Sequence, residues 1–434
     1  MIYENREATG RAEAERRIEE ALRNGATVLD LSSLELSGLP DTISQLTDLT
    51  ELDVSDNLLV EWPRAIRPLL KLTKLDVSMN KLTELPEEIG QFVHLTEFDL
   101  GSNEVTSLPR VLTQLSHLTS LDVSYNSLRH LPDWIGQLTN LLDLGVSSNE
   151  LTQLPDTIGC LAHLTELSVD YNKLTCLPDT IGQLTELTEL YAYANALTHV
   201  PETLGQLHRL SKLSLAENRL SGLPDTLGQL TNLTELGIYC NQLTTLPDWI
   251  GQFTNLTGLH ISRNQLTCLP DWIGGLVHLQ ELMVAFNQLT YLPEPLSRLT
   301  HLTRLGISGN RLTILPDWIG RFTGLTTLSV SDNPLTGLPD FLGQLRSLKR
   351  LAIAGCGLTD LPEWIGELTD LTLLDASNNQ LTSLPGWIGR LTKLRHLNVS
   401  QNQLTHLPEE IGQLASLIRL RVSGNPLLAP KPSG

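Results

Sequence analysis

Aromatic residues make up only 5% of the chain, so the place of each one carries information. Positive charge is also scarce: 30 lysines and arginines against 49 aspartates and glutamates leave a net charge of −19. Non-specific nucleic-acid binding needs a basic footprint, and anionic lipid repels an acidic chain, so neither partner is expected. No apolar run reaches the length of about 18 residues that a spanning helix needs. The opening stretch MIYENREATGRAEAERRIEE has no apolar h-region, so no secretory signal is expected. Cysteine is sparse, and no two of Cys160, Cys176, Cys240, Cys268 and Cys356 form a C-x-x-C pair. Reduced thiols in a cytoplasmic protein are the expectation. Signatures of catalysis are missing too. There is no Gly-Lys dipeptide and hence no P-loop, and no H-E-x-x-H. AGCGLTD, at 354–360, lacks the third glycine of a dinucleotide fingerprint, and the scattered histidines form no nucleophile–base pair. Neither an enzyme nor a cofactor is expected.

What is present is a period. Asparagine recurs every 23 residues from Asn57 to Asn333, then at Asn379, Asn402 and Asn425, with Cys356 in the skipped place. Counting back to Leu34 gives 18 registers, beginning near Ala26. The working consensus is L-T-x-L-x-V-S-x-N-x-L-T-x-L-P-D-x-I-G-Q-L-T-x. Leucines and valines alternate with polar residues before each asparagine, the pattern of a strand buried on one face. The Asn side chain, with donors and an acceptor, suits a place where the backbone turns inward. Proline is expected to start a short helical or 3₁₀ turn and glycine to end it, with residues such as Ile135 and Leu138 pointing inward. One such unit cannot bury its own apolar edge, but a stack of them can.

LTELDVSDNLL and LTKLDVSMNKL resemble the leucine-rich repeat segment LxxLxLxxNxL. The LPDxIGQL remainder resembles the 23-residue subclass of Roco proteins, Scribble-like scaffolds and plant intracellular Ras-group repeat proteins, over about residues 26–425. The resemblance implies an α/β repeat solenoid: a horseshoe with a parallel concave sheet, short 3₁₀ or helical convex turns and an N-terminal helical cap. Residues 11–25 read as that capping helix, with Ala14, Ile18, Ala21 and Leu22 on one face and Gly25 at C′, which gives a domain plan of cap 1–25, array 26–425 and tail 426–434. RRIEEALRNGATVLDLSSLELSGLP resembles the entry into bacterial Roco arrays, which precede a GTPase. SGNPLLAPKPSG shows no comparable cap, so a fragment cut before a further domain, or a flexible tail, is expected.

Departures from the chain's own consensus mark candidate contacts. In the columns four, two and one residues before each Asn the filler is mostly Asp, Gly or Ser. Five of the seven tyrosines fall there: Tyr125, Tyr171, Tyr191, Tyr193 and Tyr239. His260, Arg263, Met283, Phe286 and, further upstream in its strand, Arg304 join them. Strand alternation is expected to turn all of these away from the core, and small neighbours such as Ala194, Ala216 and Gly237 to leave room for a partner. Such residues are favoured at interface centres. Ring stacking between repeats is the competing explanation.

Charge along this face changes from acidic (Glu51, Asp53, Asp99, Asp122, Asp143, Glu166, Asp170) to more basic (Arg263, Arg304, Arg350, Arg419, Arg421). This suggests a partner with one basic and one acidic end. The Asp30, Asp53, Asp76, Asp99 and Asp122 column is expected to be filler rather than a metal ladder. Trp134, Trp249, Trp272, Trp318, Trp364 and Trp387 share a register on the convex turns, where stacking competes with self-association; Trp62 reads as core. The expected function is recognition of a protein or peptide on the concave face, with a Roco-type repeat region as the implied context. A freestanding effector or scaffold is one alternative. A designed array without ligand is another, which the irregular tyrosines, arginines and cysteines disfavour.

Overall fold

A computed structural model describes residues 2–427. Most of the tail expected at 426–434 therefore lies outside the described residues. The chain divides into two compact units. The first comprises Met1–Arg219 and Leu223–Asn232, the second Leu220–Gly222 and Leu233–Gly434.

In the first unit nine three-residue strands, from Val28–Asp30 to Lys212–Ser214, pair in chain order, parallel and in the same register. In the second, nine more run from Glu235–Gly237 to Arg419–Arg421 in the same way. Each unit thus has a parallel sheet face, a leucine core and a flank of 3₁₀ turns, the α/β repeat architecture expected.

The asparagines hold each repeat to the one before. Asn80 Nδ2 donates to the carbonyls of Val54 (3.0 Å), Val77 (3.1 Å) and Ser78 (3.0 Å), while its Oδ1 accepts from the Leu59 amide at 3.0 Å. The same set recurs at Asn103, Asn149 and Asn310. Each buried backbone group left unpaired costs about 1–3 kcal/mol, which is why the column is so regular. Cys356 shows what a substitute can do. Its Sγ still donates to the Val330 and Ala354 carbonyls, both at 3.4 Å. It offers no carbonyl-type acceptor, and the Leu335 amide turns to the Asn333 carbonyl instead, at 2.8 Å. Burial pushes the Cys356 thiol up to about 11, so it stays protonated as a donor.

The aspartate column has a local task. Asp53, Asp76, Asp99 and Asp122 each accept the amide two residues on, at 2.7–2.9 Å, and so end the strand in an Asx-type turn. Where Gly145, Met283 or Ala352 replaces Asp, a serine hydroxyl of the preceding repeat takes that amide: Ser124, Ser262 and Ser331, respectively.

Two expectations need correction. The turn glycines do not end the 3₁₀ turns in a left-handed cap; they lie inside them, as in Asp133–Gln137. Glycine is needed there because the next turn comes so close. A Cβ on Gly136 would lie 2.4 Å from the Thr157 carbonyl, and one on Gly205 2.3 Å from that of Thr226. Nor does strand alternation reach the position one before Asn. The strands end four before it, and this position is left-handed, with Tyr125 at φ 55°, Tyr171 at 50°, Arg263 at 54° and Phe286 at 54°.

The N-terminal helix, Ile2–Asn24, is longer than expected and covers the first repeat with Ala14, Ile18 and Ala21. Leu22 falls outside that face and is exposed, against expectation. Gly25 (φ 62°) closes the helix, and the Ala26 amide reaches back to the Ala21 carbonyl at 2.9 Å, a Schellman closure. At the other end of the array Ile411, Leu417, Leu420 and Val422 are only half-buried, where the same positions of interior repeats are sealed.

Candidate binding faces of the two units

In the first unit the left-handed turn lifts Tyr125 and Tyr171 off the sheet, and they are 61% and 50% exposed. Tyr171 meets Tyr193 edge to face, with ring centroids 5.2 Å apart. Tyr193 lies lower, half-buried, in a column whose other members Ser124, Ser147 and Asp170 are buried. Its hydroxyl hydrogen-bonds Asp170, which also accepts from Ser147 Oγ at 2.7 Å. Burial, then the Asp170 charge, pushes the Tyr193 phenol up to about 12, so it remains a donor. Tyr191 donates to Glu189, which also pairs with Lys212 at 3.0 Å. The hydrogen bond from Tyr191, aided by Lys212, holds the Glu189 carboxyl below its usual range.

Beside these rings lies an open depression of about 500 Å³, bordered by Tyr125, Asp99, Asp122, Asp143, Glu166 and Asp170. Gly101 and Gly145 lie beneath the carboxylates without side chains of their own; the Asp122 side chain folds over Gly145, where a Cβ would fall 2.7 Å from its Oδ1. Burial, and then neighbouring carboxylates, raise Asp99 to about 6 and also shift Asp143 and Glu166 upward. Among the described residues no cluster of three or more His, Cys, Asp or Glu is arranged to hold a metal.

The second unit brings its candidates together differently. Arg263 lies over the Phe286 ring, 4.5 Å from its centroid. Glu281 joins two others: Arg304 donates to it at 3.0 Å, and His260 Nε2 lies 3.5 Å from it. Met283 and Phe286 lean into the following repeat, where glycines receive them. A Cβ on Gly306 would lie 2.7 Å from Met283 Sδ, and one on Gly309 2.4 Å from the Phe286 ring. Tyr239 is half-buried, and its carbonyl accepts from Asn241.

The expected room beside small residues therefore needs revision. Ala216 is fully buried, and the gaps at Gly306 and Gly309 are filled by the chain itself. Sequence reasoning missed these two glycines and Glu281 as a shared anion. The signal was available, since each glycine follows its bulky partner by one repeat of 23 residues. Tryptophans of the turns pack over the preceding turn: the Trp272, Trp364 and Trp387 Cβ atoms seat against Gly251, Gly343 and Gly366. Trp249, Trp318, Trp364 and Trp387 are buried, Trp134 and Trp272 half-buried. Trp62 is core and meets Phe98 edge to face. The five cysteines are unbridged.

The family described as leucine-rich repeat region matches residues 142–245 and 338–425, and that described as leucine rich repeat matches 70–128, 93–151 and 231–289. A leucine-rich repeat protein of Leptospira interrogans is 36% identical, with 95% of this chain and 94% of that one covered and a TM-score of 0.66. The plant peptide hormone receptor RGFR1, solved in complex with RGF2, is 30% identical over 92% of this chain and 79% of its own, with a TM-score of 0.66. The functional domain of InlJ from Listeria monocytogenes is 26% identical over 81% and 72%, also with a TM-score of 0.66. No curated protein matches the chain.

Proposed function

Because the chain belongs to the leucine-rich repeat family, we propose that it is a non-enzymatic recognition module that holds a protein or peptide partner on its sheet face. One observation carries this reading. Tyr125 and Tyr171 stand 61% and 50% exposed, with Met79 at the same left-handed position 55% exposed, on a face floored largely by serine, glycine and aspartate. Large rings with a polar tip give much contact area at small cost in side-chain entropy, which suits them to the centre of an interface. RGFR1, a peptide hormone receptor solved with RGF2, is a relative that gives the reading precedent. Tyr191 and Tyr193 flank Tyr125 and Tyr171 in the first unit, while Tyr239, His260, Arg263, Met283, Phe286 and Arg304 stand on the second unit's own face, where most of them pack against neighbours.

The test is selection from a displayed random-peptide library on the whole chain. Binders should lose at least about tenfold in affinity on a Tyr125→Ser, Tyr171→Ser variant, the loss expected of two interface aromatics. Binders that hold equally well to that variant would sink the assignment. The narrower assignment, the repeat region of a Roco-type protein, rests on the resemblance of the 23-residue repeats and of the entry segment at residues 16–40. A P-loop following in the same reading frame would support it. A cytoplasmic location is proposed on the five unbridged cysteines. Among the described residues no helix is long and apolar enough to cross a membrane.

A further inference from the structure

The ligand chemistry of the first unit can be read from what its face leaves unbalanced. Asp99, Asp122, Asp143 and Glu166 line the depression, and none of them makes an ion pair among the described residues. The lysines of neighbouring strands are already engaged: Lys74 holds Glu97 at 2.6 Å and Lys212 holds Glu189 at 3.0 Å. The carboxylates are also partly withdrawn from water, so like charges repel across a medium less polar than bulk solvent. The second, independent element is the exposed ring of Tyr125 at the border of the depression, with exposed Tyr171 next in sequence to the bordering Asp170. The faces of Tyr125 and Tyr171 attract guanidinium or ammonium groups.

We propose that the first unit's sheet face binds an extended basic peptide, its arginine or lysine side chains entering the depression among Asp99, Asp122, Asp143 and Glu166 and lying against Tyr125 and Tyr171. This inference rests on the recognition role proposed above and names the partner's chemistry. The carboxylates fall on four successive repeats. At about 4.8 Å per strand they span roughly 14 Å, the reach of about four extended residues. A single metal ion suits this arrangement poorly, because the carboxylates are strung along the sheet instead of converging on one point.

The experiment uses the full chain and a fluorescein-labelled octapeptide of alternating glycine and arginine, read by anisotropy. Glycine–lysine and glycine–glutamate peptides serve as companions. Saturable binding of the arginine peptide is expected, falling at least about tenfold between roughly 50 and 300 mM salt as charges are screened. Asp122→Asn with Asp143→Asn should cost at least about tenfold in affinity. Asparagine keeps the acceptor that the Ser124 amide needs, as Asn398 does for Ser400 at 3.2 Å, so the fold should persist. Glu166→Gln is the fallback if the double variant melts early. Asp133→Asn with Asp156→Asn makes the same charge change on exposed turn residues outside the depression and should leave affinity within about twofold, because solvent and salt screen exposed charges.

Absence of saturable binding, equal binding of the glutamate peptide, or equal losses in both double variants would overturn the proposal. The library selection keeps the two ideas apart. Binders that need Tyr125 and Tyr171 but carry no excess of arginine or lysine would retain the recognition role and remove the basic peptide.

Discussion

The sheet faces of the two units break the same template to different ends. In the second unit most large departures are answered one repeat later or by a neighbour, although Phe286 still keeps 45% of its surface in solvent. Met283 fills the place of a side chain at Gly306, Phe286 does so at Gly309 and carries Arg263 on its ring, and Arg304 and His260 share Glu281. In the first unit the answer is incomplete. Tyr193 is secured by Asp170 and meets Tyr171 edge to face, but Tyr125 and half of Tyr171 remain in solvent near carboxylates that make no ion pair among the described residues. A departure matched by its neighbour is packing, and an unmatched one is surface held ready for something else. The second kind is the better guide to function in a repeat array.

The largest effect should come from breaking a matched pair. Gly309→Ala puts a methyl 2.4 Å from the Phe286 ring at a φ of 62°, so both strain and overlap oppose it. A loss of about 2–3 kcal/mol is expected in denaturant unfolding. Adding Phe286→Ser should return at least about 1 kcal/mol of it, a coupling that only contact explains. Strict additivity of the two changes would mean that the glycine answers some other need, and the matched-pair reading would fail.

The next effect turns on sign. Asp99 titrates near 6 in the folded chain, above its ordinary value of 3.8. The folded state therefore holds this proton more tightly than the unfolded chain does, and the site favours folding more as pH falls from 7 through 6 toward 4. Asp99→Asn removes the charge, keeps the acceptor for the Gly101 amide, and should stabilise at pH 7.5 by about 0.5–1 kcal/mol after allowance for solvent screening. The gain should shrink by pH 4.5. In the second unit Glu281→Gln loosens Arg304 and His260 and should destabilise instead, by about 0.5 kcal/mol. Melting curves at the two pH values measure both. If both changes moved stability in one direction, the contrast between uncompensated and paired charge would be lost.

Much of this architecture is legible in the sequence because backbone needs write it there. The Asn column, the alternation of leucines, and the Pro-initiated turns all answer backbone or core demands that recur in every repeat. The register count, the strand face and the core follow from them. Less legible was anything set between repeats. Gly136 looks like a helix terminator until the Thr157 carbonyl is seen 2.4 Å from where its Cβ would be. The direction of Tyr125 and Tyr171 depends on a left-handed residue beyond the end of the strand, where a period of two says nothing. The pairs Met283–Gly306 and Phe286–Gly309 were visible at a spacing of 23, but only to a comparison of adjacent repeats rather than of each repeat with the consensus.

The smallest effect is the one on which the comparison depends most. Tyr171→Ser removes a half-exposed ring, its edge-to-face contact with Tyr193 and nothing in the core. Such a contact is worth about 0.5–1.5 kcal/mol when enclosed, and less here, where water reaches half of the ring. Serine already occupies the equivalent left-handed position at Ser102 and Ser148, so the backbone can accept it. The expected change in unfolding free energy is at most about 0.5 kcal/mol, as for surface substitutions generally. A loss above about 1 kcal/mol would put Tyr171 with Phe286, as a packing residue that happens to be visible. A near-silent change in stability, together with lost peptide binding, separates the two faces by the criterion that defines them: what each side chain does for its own chain, and what it leaves for a partner.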